Sequence, residues 1–331
     1  MTHLLLASIL AAGLAALALA KPRAGMAVTL VYLAALGDIR RFVTFHSNPV
    51  ELDPLLLVGS LVMAALAVRL YQEGQFRPDT RLASAITVLL AVMGLQIFNP
   101  AQGGLAVGFG GVLFYVVPLM WYWAGRTYGS LTFAEAVVRR VVVPVAVAAA
   151  VLGLYQTFVG FPAYQQRWID LVRAQYVALN VAGSIRPFGC FTSSVEYAQW
   201  LGIAVVAPVC LALGGRPAWA ALAAVPLVVV SLFLQGSRGV LVGTLFASAI
   251  GWSLRSASAR AWVPRLLVAV VVAAFGLRLA LSEAVGLSVP EQVSAVVERQ
   301  QAIFDPFNQE RSTASSHLLL KMSAFEGAIQ T

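Results

Sequence analysis

Charge is what this chain has least of. Lys, Arg, Asp and Glu together make up 11% of its 331 residues, against about 25% in an ordinary soluble domain. Hydrophobic residues make up 60%, and mean hydropathy is +0.84. A soluble fold of this size has too little interior for so much apolar surface. The shortage of charge sets aside a soluble enzyme, a disordered chain and a nucleic-acid-binding domain. What remains is an all-α polytopic membrane helix bundle.

Cysteine and histidine are scarce too. Cys190 precedes an apolar run and Cys210 lies near its far end. At helical rise they stand about 20 Å apart, and a disulfide needs about 7 Å or less. No bridge and no metal site is expected. His3, His46 and His317 are too distant in sequence for a local metal motif. No Lys or Arg precedes the first apolar run, Leu4–Ala20. Its Ala18-Leu19-Ala20 end resembles a cleavage site, but without a positive start it reads as a retained first helix.

The net charge is +8. In a membrane protein this excess collects in short cytoplasmic loops, so no nucleic-acid partner is needed to explain it. Ten apolar runs read as membrane helices: 4–20, 24–39, 54–70, 82–98, 105–124, 141–158, 196–213, 219–234, 240–254 and 266–281. Segments 21–23, 69–81, 125–140, 214–218 and 255–265 hold 12 Lys and Arg, and the alternate loops hold 6. The richer side is expected in the cytoplasm. Residues 1–281 form the bundle, and two long segments fall outside, 159–195 and 282–331. In the first, Tyr164–Asn180 is amphipathic and suits a helix in the membrane interface or one packed on the loop itself. The second begins a larger outer loop domain. It stops after Ile329 with no return helix, which predicts a C-terminally incomplete chain.

Two outer turns could carry chemistry. In Arg186-Pro187-Phe188-Gly189, followed by Ser193 and Glu196, an S-x-x-E capping box opens an apolar helix. In Gln235-Gly236-Ser237-Arg238-Gly239, Ser237 can cap the helix beginning near Val240. Each turn sets an arginine beside a helix N-terminus, where anions are favoured. Arginine presents a planar fork of donors that matches phosphate oxygens. Both arginines could equally snorkel to lipid headgroups. Arg40 and Arg41 are expected to pair with Asp38, Glu51 or Asp53, and Asp53-Pro54 to start a helix. Gly103, Gly104, Gly108, Gly110 and Gly111 are expected to allow close helix packing.

The order of these features resembles the O-antigen ligase and O-antigen polymerase family of bacterial envelope glycosyltransferases. An outer Arg-Pro-Phe-Gly stretch leads into a helix. Gly-Ser-Arg-Gly follows two helices later, then a basic loop, one more helix and a large outer segment. The resemblance is clearest from about 180 to 331. It implies an inner-membrane, multi-pass enzyme with an extracytoplasmic active face. It implies transfer of a glycan from a polyprenyl-diphosphate carrier to a sugar or lipid-linked acceptor, with no cofactor, metal or nucleotide sugar. Arg186 and Arg238 would hold the diphosphate, and Arg311 resembles an arginine of the family's outer loop. Ser193, Glu196 and Ser237 would support the helix starts. His317 does not match the family's His-containing motif, so the general base is expected beyond Thr331. The alternative is a transporter or flippase for a lipid-linked or small anionic substrate. Transporters carry ionisable residues or broken helices near the bilayer midplane, whereas here the charges cluster at segment ends.

Overall fold

The computed structural model describes residues 2–47, 53–99, 101, 103–172, 180–181, 184–216, 219–254, 296–297 and 300. These form an all-α protein, apart from one two-residue antiparallel pair, Asn180–Val181 (β1) with Ser184–Ile185 (β2). The chain divides into two compact units, residues 1–141 and 142–331.

The first unit contains α1 (Thr2–Ala20), α2 (Pro22–His46), a 3-10 turn (Pro54–Leu57) leading into α3 (Val58–Gln72), α4 (Arg81–Gln96), α5 (Leu105–Gly111), α6 (Val117–Tyr128) and α7 (Leu131–Val137). The second contains α8 (Val143–Phe158), α9 (Ala163–Val172), α10 (Ser194–Leu213), α11 (Trp219–Leu234) and α12 (Arg238–Ser253). Nine of the ten expected apolar runs fall on these helices. The tenth, 266–281, lies outside the described residues, as do nearly all of 282–331. Thr2–Ala20, Pro54–Gln72, Leu131–Phe158 and Ser194–Leu213 are long and apolar enough to cross a membrane. Leu4, Leu5, Ile9, Val88 and Leu95 stay exposed on their helices. Water penalises such surface and lipid does not, so these helices mark a membrane protein.

Packing in the first unit follows helical periodicity. Ala7, Ala11, Leu14 and Ala18 of α1 meet Val58, Val62, Leu66 and Leu70 of α3 in one buried cluster. Small side chains let α1 and α2 approach closely: a Cβ on Gly25 would come within 2.4 Å of the Ala18 Cα. Polar ties lock one end. Asp53 caps the 3-10 turn by accepting the Leu55 N–H at 3.1 Å. Its carboxylate also takes Arg40 Nε at 2.6 Å and His3 Nδ1 at 3.2 Å. Arg41, almost fully buried, pairs with Asp38 at 3.3 Å. The expected pairing of both arginines is therefore present.

Two expectations need correction. The stretch 125–140 is not a plain loop: α6 ends at Tyr128, and α7 restarts where the Ser130 hydroxyl accepts the Phe133 N–H at 3.1 Å. Val112–Val116 and Val138–Val142 wind as π-helix, each just ahead of a proline, Pro118 and Pro144. A proline has no N–H for the i−4 carbonyl, and a wider turn accommodates the lost bond. Among the five glycines, Gly108 does allow close packing, against the Ile97 backbone; Gly110 and Gly111 meet nothing within 4 Å among the described residues. The helix expected over Tyr164–Asn180 is described over Ala163–Val172, and 173–179 lie outside the described residues. Its buried Ile169 packs on Phe188, so this helix lies on the protein's own turn.

Burial pushes the Asp53 carboxyl up, but bonds from Arg40, the Leu55 N–H and His3 outweigh it and leave the carboxyl below its ordinary value. A depressed carboxylate contributes stability above its unfolded pKa and loses it as pH falls through the lower folded value. The contribution of Asp53 is therefore complete at neutral pH and disappears only below about pH 4. Asp53→Asn should lower stability by roughly 2–3 kcal/mol at pH 7 and far less at pH 2.5. Denaturant unfolding in detergent at both pH values measures the difference.

Candidate functional site

In α8, Val143, Ala146, Ala150 and Gly153 form the buried face, and Gln156 falls on it in the last turn of the helix. A lone carboxamide in an apolar helix needs partners. Gln156 finds them in the turn after Arg186. Its Oε1 accepts the backbone N–H of Phe188 at 3.0 Å and of Gly189 at 2.9 Å. Its Nε2 donates to the Gly189 carbonyl at 3.0 Å and to Gln165 Oε1 of α9 at 2.8 Å. One side chain thus satisfies three main-chain groups of a turn that has no helix ladder of its own.

The turn needs its glycine. Gly189 has φ +56°, and a Cβ there would lie 3.1 Å from the Tyr197 ring. Phe188 is fully buried, stacked on Phe161 with ring centroids 5.2 Å apart and edge-on to Trp168. The chain then enters α10 through Ser193, whose hydroxyl accepts the Glu196 N–H at 3.2 Å. The expected capping box closes in this direction. The Glu196 carboxylate accepts the Thr192 hydroxyl instead of returning to Ser193.

The second turn is held against the first. Gln235, buried at the end of α11, donates from Nε2 to the Ser194 carbonyl at 2.7 Å and accepts the Ser237 N–H at 2.9 Å. Behind it the Tyr197 hydroxyl meets Ser231 Oγ at 2.5 Å, and Ser231 reaches the Ala150 carbonyl at 3.4 Å. A Cβ on Gly153 would fall 2.0 Å from the Tyr197 hydroxyl oxygen, so only glycine fits there. These contacts join the finishing ends of α8 and α11 to the starting ends of α10 and α12.

Sequence and structure differ at Ser237. It precedes a helix that starts at Arg238, two residues before the expected Val240. Its hydroxyl makes no cap bond, and its N–H goes to Gln235. Arg186 and Arg238 are both half-buried at this end of the unit. Arg311 and His317 lie outside the described residues. Cys190 and Cys210 are not joined to each other by a disulfide. Among the described residues no group of His, Cys, Asp and Glu could hold a metal. Gln156, Gln165, Tyr197 and Ser231 were not singled out from sequence. A polar residue interrupting an apolar run was the available signal for Gln156.

Gln156→Leu keeps the volume but strips the partner from the Phe188 and Gly189 N–H groups and leaves the Gly189 carbonyl only the longer bond from Gln165 at 3.4 Å. It should cost about 3 kcal/mol, measured by thermal or denaturant unfolding in detergent. It should also open the turn to chymotrypsin at Phe188 and Phe191.

No protein-family model matches this chain, and no curated protein and no solved structure matches it.

Proposed function

We propose that the chain is a multi-pass glycosyltransferase of the bacterial inner membrane, of the O-antigen ligase or polymerase type, with its active face outside the cytoplasm. It takes a glycan from a polyprenyl-diphosphate carrier and passes it to a hydroxyl of a sugar or lipid-linked acceptor. The observation that carries this reading is the Gln235–Ser194 bond of 2.7 Å. It holds the turn bearing Arg238 against the start of α10, downstream of Arg186. Two helix N-termini and two half-buried arginines then belong to one end of one unit. Such an end suits a diphosphate, which helix N-termini attract and guanidinium forks match.

In the proposed transfer the acceptor oxygen bonds to the anomeric carbon while the bond from that carbon to the diphosphate oxygen breaks. The bonding electrons leave with the carrier diphosphate, and a general base takes the acceptor proton. Arg186 and Arg238 stabilise the charge that gathers on the leaving diphosphate, and by family resemblance Arg311 assists. The family chemistry uses neither a nucleotide sugar nor a metal. A transporter fits less well. Beyond the first-turn residues Glu196 and Arg238, α8, α10, α11 and α12 contain no Asp, Glu, Lys or Arg. Transport sites usually need such groups near the midplane.

Deletion of the gene should abolish the mature surface glycan and leave its lipid-linked precursor on the outer leaflet. Arg186→Ala or Arg238→Ala should restore less than about 1% of the glycan, with Arg→Lys intermediate. Normal glycan from both alanine variants overturns the proposed site. Precursor trapped on the inner leaflet would instead make the protein a flippase.

A further inference from the structure

The first unit contains a cavity of about 420 Å³ lined by Lys21, Arg23, Arg69, Thr127 and Tyr128 around the Pro22 turn. Four helix ends meet there: α1 finishes at Ala20, α2 begins at Pro22, α3 finishes at Gln72 and α6 at Tyr128. Two of the four, α1 and the stretch ending in α3, are long and apolar enough to cross a membrane. A cavity at their ends lies at the depth of lipid headgroups when they cross.

Its charges do not cancel. Arg69 Nε binds the Glu73 carboxylate at 2.8 Å, and the Tyr128 hydroxyl donates to the same carboxylate at 2.9 Å. Arg69 also donates to the Leu19 carbonyl and lies 5.7 Å from the Tyr128 ring centroid. Glu73 is therefore committed to Arg69. Arg23 Nε donates to the neutral Tyr128 carbonyl at 2.7 Å. Lys21 and Arg23 have no carboxylate partner among the described residues. Lys21 and Arg23, two cations without a carboxylate partner among the described residues, thus line an open cavity together with Pro22, Ala24, Arg69, Thr127 and Tyr128. The close Ala18–Gly25 contact packs α1 against α2 on one side of the cavity.

We propose that this cavity binds the phosphate of an anionic phospholipid headgroup. The two cations meet the phosphate, and the apolar walls meet the glycerol and the first acyl carbons. The charge count assigns this face to the cytoplasmic side, where anionic lipids draw basic pockets between helix ends. The proposal rests on the apolar helices crossing a bilayer. It does not depend on the glycosyltransferase reading, because its readout is lipid binding.

The test uses the purified full chain in neutral detergent and native mass spectrometry. The probes are dioctanoyl phosphatidylglycerol, dioctanoyl phosphatidylcholine and inorganic phosphate. Wild-type protein should retain phosphatidylglycerol and not phosphatidylcholine, and millimolar inorganic phosphate should not displace it. Each cation is worth about fivefold in affinity, so Lys21→Ala with Arg23→Ala should weaken phosphatidylglycerol about 25-fold. The charge-preserving pair Lys21→Arg and Arg23→Lys should retain most of the binding. Equal binding of both lipids by wild-type protein overturns the proposal without any variant. So does unchanged phosphatidylglycerol affinity in a folded double-alanine variant. Displacement by inorganic phosphate would make this a soluble-anion site and also overturn it.

Discussion

The Gln156 carboxamide organises the end of the second unit where both candidate turns lie. In apolar surroundings a turn cannot leave its N–H and C=O groups to water, so something inside the protein must take them. Gln156 takes two N–H groups and a carbonyl of the Phe188–Gly189 turn, and through Gln165 it also holds α9. Once that turn is held, Phe188 can bury against Phe161 and Trp168, and Gly189 can sit on the Tyr197 ring. Tyr197 in turn links α10 to Ser231 of α11, and Gln235 closes the circuit by reaching back to Ser194. Three buried glutamines therefore do here what a hydrophobic core does in a soluble protein: they decide which segments are neighbours.

The first unit uses the same device with charged groups. Lipid provides little hydrophobic drive for one helix to seek another, so close packing and polar ties carry the association. Small residues along α1 supply the packing, with Gly25 fitted against Ala18. At one end Asp53 gathers Arg40, His3 and the Leu55 N–H. Tyr32 adds a bond from its hydroxyl to the Leu55 carbonyl at 2.6 Å. At the other end Arg69 binds Glu73 and the Leu19 carbonyl. Each cluster sits at helix ends; the Asp53 cluster is buried there, and its bonds from Arg40, His3 and the Leu55 N–H offset the desolvation, whereas Arg69 and Glu73 stay partly exposed.

Local features were readable where chemistry acts over a few residues. Asp53-Pro54 is an N-cap and first-turn pair because both roles need only neighbouring backbone. The Ser193 cap is of the same kind. Ser237 occupies the N-cap position, but its hydroxyl makes no cap bond, and its N–H goes to Gln235. The π segments before Pro118 and Pro144 were not foreseen. A proline in an apolar run can kink a helix, end one or widen a turn, and only the packing around it selects among these.

Composition pointed to a membrane protein, since 11% charge and 60% hydrophobic residues suit lipid better than water. The spacing of apolar runs located the helices, because a span must hold about twenty residues without frequent charge. Neither could pair Gln235 with Ser194 or Gln156 with Gly189, which are 41 and 33 residues apart. Hydrophobic patterns record how much of a helix avoids water and not which neighbour it meets. In a chain apolar on nearly every face, that choice falls to the few polar side chains, and their partners exist only once the helices have assembled.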